Sequence, residues 1–384
     1  MSVDDYHRVR EPRAVRDVLE RTGEFEPTNA LTAVVPLGPE ALRVLARVGF
    51  SLPPVLASAT GEAHLRVRRL VAGFFSPGKV SAVAPAVRAL AAERAAAVRE
   101  RLAAGEQVDL AAELAAPIPP TIMAELTGTE CPDLDALKRW SQDSLELFWG
   151  WPDEARQVEL ARSAAEFYAW LRSSVRASRG GDSLFGVLHA GGLGEREICS
   201  LGYFLVIAGQ ETTALLINTV LYRSLRDRDA WAACREMDAA RAQVRSVIAA
   251  ESSVHTWRRR AVTDAVVDGV ALPAGAEILL ELSGHHPVPD GSGYGLAFGH
   301  GVHRCLGARL AELEAGIVLQ EAARALPDAV VSGGTPPWLR LLSFQAPLAV
   351  AAKTPAHDGG SGPASEFAAA GAGTGNRAGA GEEL

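Results

Sequence analysis

Residues 195–225 repeat their apolar side chains at three- and four-residue spacing, the mark of one helix of roughly 30 residues and about 45 Å. The middle of that helix, residues 201–217, is apolar, so the rest of the chain has to wrap it. The same spacing returns in Ala- and Arg-rich stretches at 40–48, 80–104, 134–148, 153–177 and 307–326. These are further helices for a common core. Strand-like runs are few and short, at 262–272, 277–282 and 339–352. The expected fold is mainly α with a small β component and no internal repeat.

Bulk properties narrow the function. Of 384 residues, 48% are hydrophobic, and the net charge is −8. With a pI near 5.7 and no dominant basic stripe, nucleic acid is not an expected partner. Cys131, Cys199, Cys234 and Cys305 are widely spaced with no C-x-x-C pair, which argues against a disulfide framework or a zinc site. A reducing cytoplasm fits. The charged N-terminus lacks an apolar signal region, and no uninterrupted apolar run is long enough to suggest a membrane span. After Thr354 the composition turns to Gly, Ala and Ser without a periodic apolar face. Residues 1–354 are therefore expected to fold as one domain and 355–384 to form a disordered tail.

The most specific local signal is Phe298-Gly299-His300-Gly301-Val302-His303-Arg304-Cys305-Leu306-Gly307. It sets one cysteine in a glycine-rich turn just before a helical run. The helix N-terminus and nearby N–H groups favour a thiolate there. A thiolate so held suits an axial position on haem iron, where sulfur pushes electron density toward O–O cleavage. The plain alternative is a structural cysteine buried in a turn. The segment resembles the haem-binding loop of cytochromes P450, F-G-x-G-x-H-x-C-x-G, at every defined position. The resemblance implies the P450 fold, a haem b cofactor, Cys305 as the metal ligand, and Phe298, Gly299, His303 and Gly307 as parts of the cofactor bed.

Gly209-Gln210-Glu211-Thr212-Thr213 interrupts the apolar middle of the long helix with polar groups, which are costly to bury unless satisfied or at work. Ala208-Gly209-Gln210-Glu211-Thr212 is similar to the P450 oxygen-binding segment A-G-x-D/E-T. By that resemblance Ala208 and Gly209 let the helix widen over the haem, Thr212 is the catalytic alcohol and Glu211 the catalytic acid of a proton relay. A bland reading also exists, since helical threonines often bond the i−4 carbonyl.

His64 and Arg68 lie four apart, on one helix face. They resemble the P450 pair that holds haem propionates. Arg259, placed just before a strand-like run, and His303 resemble two further propionate partners; Arg forks suit carboxylates. Arg66 and Arg69 read as a solvated face.

One family feature is missing. The E-x-x-R pattern expected ahead of the strands has its nearest local match in Glu251-Ser252-Ser253-Val254, with Val in place of Arg. An ungapped reading from Arg259 offers Ser246 and Ala249 instead. The loop at 286–295 carries no Arg either. Loss of the whole buried ion-pair triad avoids an orphan charge, and apolar packing without an ion pair is expected to hold that side.

The resemblance implies a monooxygenase that inserts one oxygen atom from O2 into a small organic substrate, a secondary metabolite. Its electrons would come from a ferredoxin or flavodoxin and its reductase. Two rival readings share the motifs: a peroxygenase-like haem enzyme, and a degenerate haem-binding regulatory protein, which the missing triad motivates. The substrate pocket is expected around residues 57–62, 145–151, the first half of the long helix and 254–257. Trp149, Trp151 and Trp257 fall there, but tryptophan is commonly core.

Overall fold

The long helix forms where its periodicity predicts, but not as one α-helix. In a computed structural model, residues 3–130, 133–284 and 294–355 are described. Helix Glu195–Val206 runs into a five-residue π-turn, Ile207–Glu211, and continues as Thr212–Leu225. By length and composition alone this 31-residue rod could cross a membrane, yet 72% of its most apolar window is buried inside the protein. It is the core helix.

Around it stand α1 Pro12–Glu20, α2 Pro39–Arg47, α3 Gly61–Ala72, α4 Pro77–Ala82, α5 Ala84–Ala103, α6 Ile118–Thr127, α7 Leu134–Trp149, α8 Glu154–Ala177 and α9 Leu184–Ala190. The central rod supplies α10 and α11, and α12 Arg228–Ala233, α13 Met237–Glu251 and α14 Ala308–Ala325 complete the α-helices among the described residues. Side-chain caps set several starts: Asp133, Asp153 and Asp227 each accept a backbone N–H two or three residues on.

Two large apolar cores meet along the rod. One gathers Val87 and Ala91 of α5, Leu221 of α11, Ile248 of α13 and Val318 of α14. The other gathers Val71 of α3, Phe167 of α8, and Leu201 and Leu205 of α10. Each valine, leucine, isoleucine or phenylalanine among them contributes about 1.5–3 kcal/mol when fully buried.

The largest sheet orders β1 (His7–Val9), β7 (Glu277–Glu281), β4 (Thr256–Ala261) and β2 (Phe25–Glu26) side by side, with β1 parallel to β7 and the other pairs antiparallel. Val15 and Val18 of α1 cover it. Smaller sheets use β3 (Val108–Asp109), β5 (Ala265–Val267), β6 (Val270–Leu272), β8 (Val330–Val331), β9 (Trp338–Arg340), β10 (Gln345–Pro347) and β11 (Ala351–Lys353).

Four expectations change. The helix expected over 80–104 breaks at Val83 and restarts with Pro85 in its first turn, because proline suits a helix start and not an interior. The run at 262–272 is a hairpin, β5–β6, turned by Asp268-Gly269 with φ of 49° and 78°. Residues 339–352 divide among three strands. Arg259 does not precede a strand but sits inside β4.

Met1–Thr354 makes one compact unit. The expected tail from 356 on, Cys131, and residues 286–293 of the Arg-free loop lie outside the described residues.

Candidate active site

The Cys305 loop owes its shape to two glycines. Gly299 and Gly301 have φ of 70° and 65°, a region costly for other residues. The turn closes through Gly299 N–H to the Leu296 carbonyl, 2.7 Å, and Cys305 N–H to the Phe298 carbonyl, 2.9 Å. Gly307 then caps α14. The thiol opens onto a cavity of about 240 Å³, to which Cys305 is exposed although protein surrounds it. Burial pushes its thiol up, against the pull of the Gly307 and Ala308 N–H groups and of Arg68 and Arg304. The helix start thus favours the thiolate, as its position in sequence implies, but burial outweighs it.

Four basic side chains from three distant segments meet at the same cavity: His64, Arg68, Arg259 and His303. The His64 and His303 rings lie 4.3 Å apart. His303 Nε2 donates to the Ala59 carbonyl, 2.8 Å, and Arg68 Nη2 to the Arg304 carbonyl, 2.7 Å. His64 Nε2, His303 Nδ1 and Arg259 Nε are buried with no partner among the described residues. Burial, together with the neighbouring cations, holds His303 down at about 4 and lowers His64. Burial alone takes Arg259 down to about 10. No carboxylate side chain lines this cavity among the described residues, and none pairs with these four. A cationic cluster without a counter-anion fits a group that brings carboxylates of its own. The donor set therefore suits haem: a soft thiol on one side, basic anchors for two propionates, and Phe298, Gly299 and Gly307 in the wall.

Strand alternation explains how one Arg of three reaches the cavity. Arg259 points in; Arg258 points to the opposite face and donates to the Ala30 and Thr32 carbonyls at 3.1 and 2.8 Å; Arg260 is exposed. Arg258 and Arg259 are both 2% exposed. An Arg triplet does not look like a buried strand, which is why β4 escapes the sequence pattern.

The π-turn forms the facing wall. Ala208, Gly209 and Thr212 line the cavity; Glu211 does not. Thr212 Oγ1 donates to the Ala208 carbonyl at 2.6 Å. Glu211 is 2% exposed and accepts from Lys138 Nζ at 2.6 Å. The acid and the alcohol, adjacent in sequence, therefore diverge in space. Lys138 of α7, 73 residues away, escapes sequence reasoning because no local pattern links it to Glu211.

The expected pocket segments do line the cavity, through Ala57, Phe148, Tyr203, Val254 and others. Trp149 and Trp257 line it as well, while Trp151 is exposed. Val254 is thus not at a buried ion-pair position: α13 ends at Glu251, and Val254 bridges to Phe344. Apolar packing is also not the whole account of this side. Arg223 holds Glu251 by two bonds, 2.6 and 2.8 Å, and Arg245 holds Glu312 of α14 at 2.6 Å. Between them Val244 and Ile248 are fully buried. Both carboxyl oxygens of buried Glu314 lack a partner among the described residues, and burial raises its pKa well above the usual range, which favours the neutral acid over an orphan charge.

No family model matches the chain. Among curated proteins, cytochrome P450 monooxygenase PikC of Streptomyces venezuelae is 32% identical over 301 residues, covering 72% of this chain and 70% of PikC. Mycinamicin IV hydroxylase/epoxidase of Micromonospora griseorubida is 28% identical over 300 residues, covering 71% and 72%. Among solved structures, cytochrome P450 CREJ in complex with (4-ethylphenyl) dihydrogen phosphate superposes with a TM-score of 0.84 at 27% identity, over 91% of this chain and 92% of that one.

Proposed function

This chain belongs to the cytochrome P450 family and is a haem monooxygenase, and on that premise we propose that it inserts one atom of dioxygen into a small, uncharged organic molecule of secondary metabolism. The observation that carries the reading is the meeting of Cys305 with four basic groups that no carboxylate among the described residues answers, around one cavity. In this reading residues 1–354 are the haem domain, the group is haem b, and Cys305 would supply the thiolate that holds its iron. His64, Arg68, Arg259 and His303 would hold the propionates. When bound, the haem supplies the one-electron and dioxygen chemistry.

The chain's own residues do the rest. Phe148, Trp149, Tyr203, Trp257 and Phe344 give the substrate an aromatic enclosure that excludes water. Every charged group in the lining among the described residues is basic and belongs to the Cys305 side, so a cationic substrate finds no partner there. Thr212 Oγ1 holds the hydroxyl proton at the cavity wall, parked on the Ala208 carbonyl. Glu211 takes protons from the outer side, where Lys138 is 18% exposed, and must turn from Lys138 to hand them inward. Ferredoxin or flavodoxin with its reductase supplies the electrons, in the cytoplasm.

The test is the absorption spectrum of the reduced, CO-bound protein. The band of thiolate-ligated haem is expected in wild type, Cys199→Ser and Cys234→Ser, and is lost entirely in Cys305→Ser. Its persistence in Cys305→Ser overturns the assignment.

A further inference from the structure

Behind the central helix lies a second cavity of about 40 Å³. That exceeds the ~10–15 Å³ that one water needs. Leu137, Leu184, Phe185 and Val206 make most of its wall apolar, and exposed Glu130 stands at its rim. Two of its polar groups are already engaged: Gln210 Nε2 donates to Ser141 Oγ at 3.0 Å, and Thr127 Oγ1 to the Met123 carbonyl at 2.7 Å.

The π-turn is the partition between the two cavities. Gly209 and Thr212 face the large one and Gln210 the small one. Two side chains, Met123 and Leu205, belong to both walls. Met123 fills the gap left by the missing side chain at Gly209: a Cβ there would lie 2.7 Å from Met123 Cε and 3.0 Å from its Sδ. Met123 is only partly buried. Its thioether is unbranched, with three rotatable bonds, so it can change rotamer without breaking a directional contact. Leu205, branched and 9% exposed, is the fixed side of the same opening.

We propose that Met123 gates a side passage for dioxygen, from the surface near Glu130 through the small cavity to the Thr212 end of the large one. The inference rests on the monooxygenase reading, in which dioxygen has to arrive while the organic substrate occupies the main cavity. A short apolar route suits a small apolar gas and offers charged or strongly hydrated molecules nothing. No bond is made or broken along it.

Two measurements test this on the full chain. The first is xenon binding, by 129Xe NMR or xenon-pressurised crystals. Xenon is expected in the small cavity of wild type and Met123→Ala and is expelled from it in Met123→Trp. The second is CO rebinding to the reduced holoenzyme after flash photolysis. Met123→Ala should rebind severalfold faster, Met123→Trp severalfold slower, and Met123→Leu, which conserves volume, close to wild type. If Trp overpacks the site and prevents folding, the Ala variant carries the test alone. Equal rebinding in wild type and Met123→Ala, or a small cavity without xenon, overturns the passage. Absence of the thiolate CO band in wild type would instead mark failure of the haem reading, which the xenon arm does not share.

Discussion

The two walls of the main cavity are built on opposite principles. On the Cys305 side, buried nitrogens of His64, His303 and Arg259 have no partner among the described residues, and no described carboxylate answers the basic charge. On the π-turn side every polar side chain is satisfied from within: Thr212 by Ala208, Thr213 by Gly209, Gln210 by Ser141, Glu211 by Lys138. An unsatisfied buried donor costs about 1–3 kcal/mol, so the first wall is strained until a ligand completes it. The second wall is stable alone and must break a bond to act. In the function proposed, one wall holds and the other switches.

The sharpest way to break this comparison is Thr212→Ala. The switching wall then loses its hydroxyl, and product formation should fall by at least about tenfold while peroxide rises, since general acid–base contributions run to about 10²–10⁴. Haem binding should not change. Unchanged coupling of electrons to product would mean that the hydroxyl does no more than bond Ala208.

Arg259→Leu probes the holding wall and should act with opposite signs on two states. Haem affinity should weaken about 10- to 100-fold, equivalent to about 1.5–3 kcal/mol. The haem-free protein should melt at a higher temperature, because a buried, unpaired cation has gone. A lower melting point in the haem-free variant would show that this wall, too, is internally satisfied.

Lys138→Met tests self-sufficiency on the switching side. It leaves Glu211 buried without its cation and should destabilise the protein by about 1–3 kcal/mol, discounted for the partial exposure of Lys138. Adding Glu211→Gln should restore most of that loss in thermal unfolding.

The smallest effect is on pH dependence. His303 titrates at about 4 in the folded protein, below the usual 6.5, and His64 is lowered as well. The unfolded chain therefore takes up protons first as pH falls. Stability is fully present above about 6.5 and is lost progressively toward about 4. Melting curves of the haem-free protein across this range should slope accordingly, and His303→Gln should flatten them. A slope remains in the variant, because His255 is also held at about 4 by burial.

How legible each wall is in sequence follows from how local its construction is. Ten consecutive residues shape the Cys305 turn, and five shape the π-turn, so both show in a short window. Arg259 reaches the cavity only because β4 pairs with β7, opposite Ile278, and strand alternation turns its neighbours away. Lys138 meets Glu211 only because α7 packs on the π-turn. Val254 looks like part of a helix motif until Ser252, with ψ of 145°, ends α13 ahead of it. The E-x-x-R triad is missing in sequence, and the ion pairs that tie α13 to α11 and α14 come from residues with no shared spacing.

The π-turn has a consequence for how this wall can vary. It holds one residue more than the α-helical turn it replaces. Residues before and after it are thus out of step by about 100°, one position on a helical wheel. Deleting any single residue between 207 and 211 would bring α10 and α11 back into phase and rotate Thr212 off the cavity by that angle. Substitutions within the turn leave the phase untouched. For this stretch of chain, length is a stricter requirement than identity.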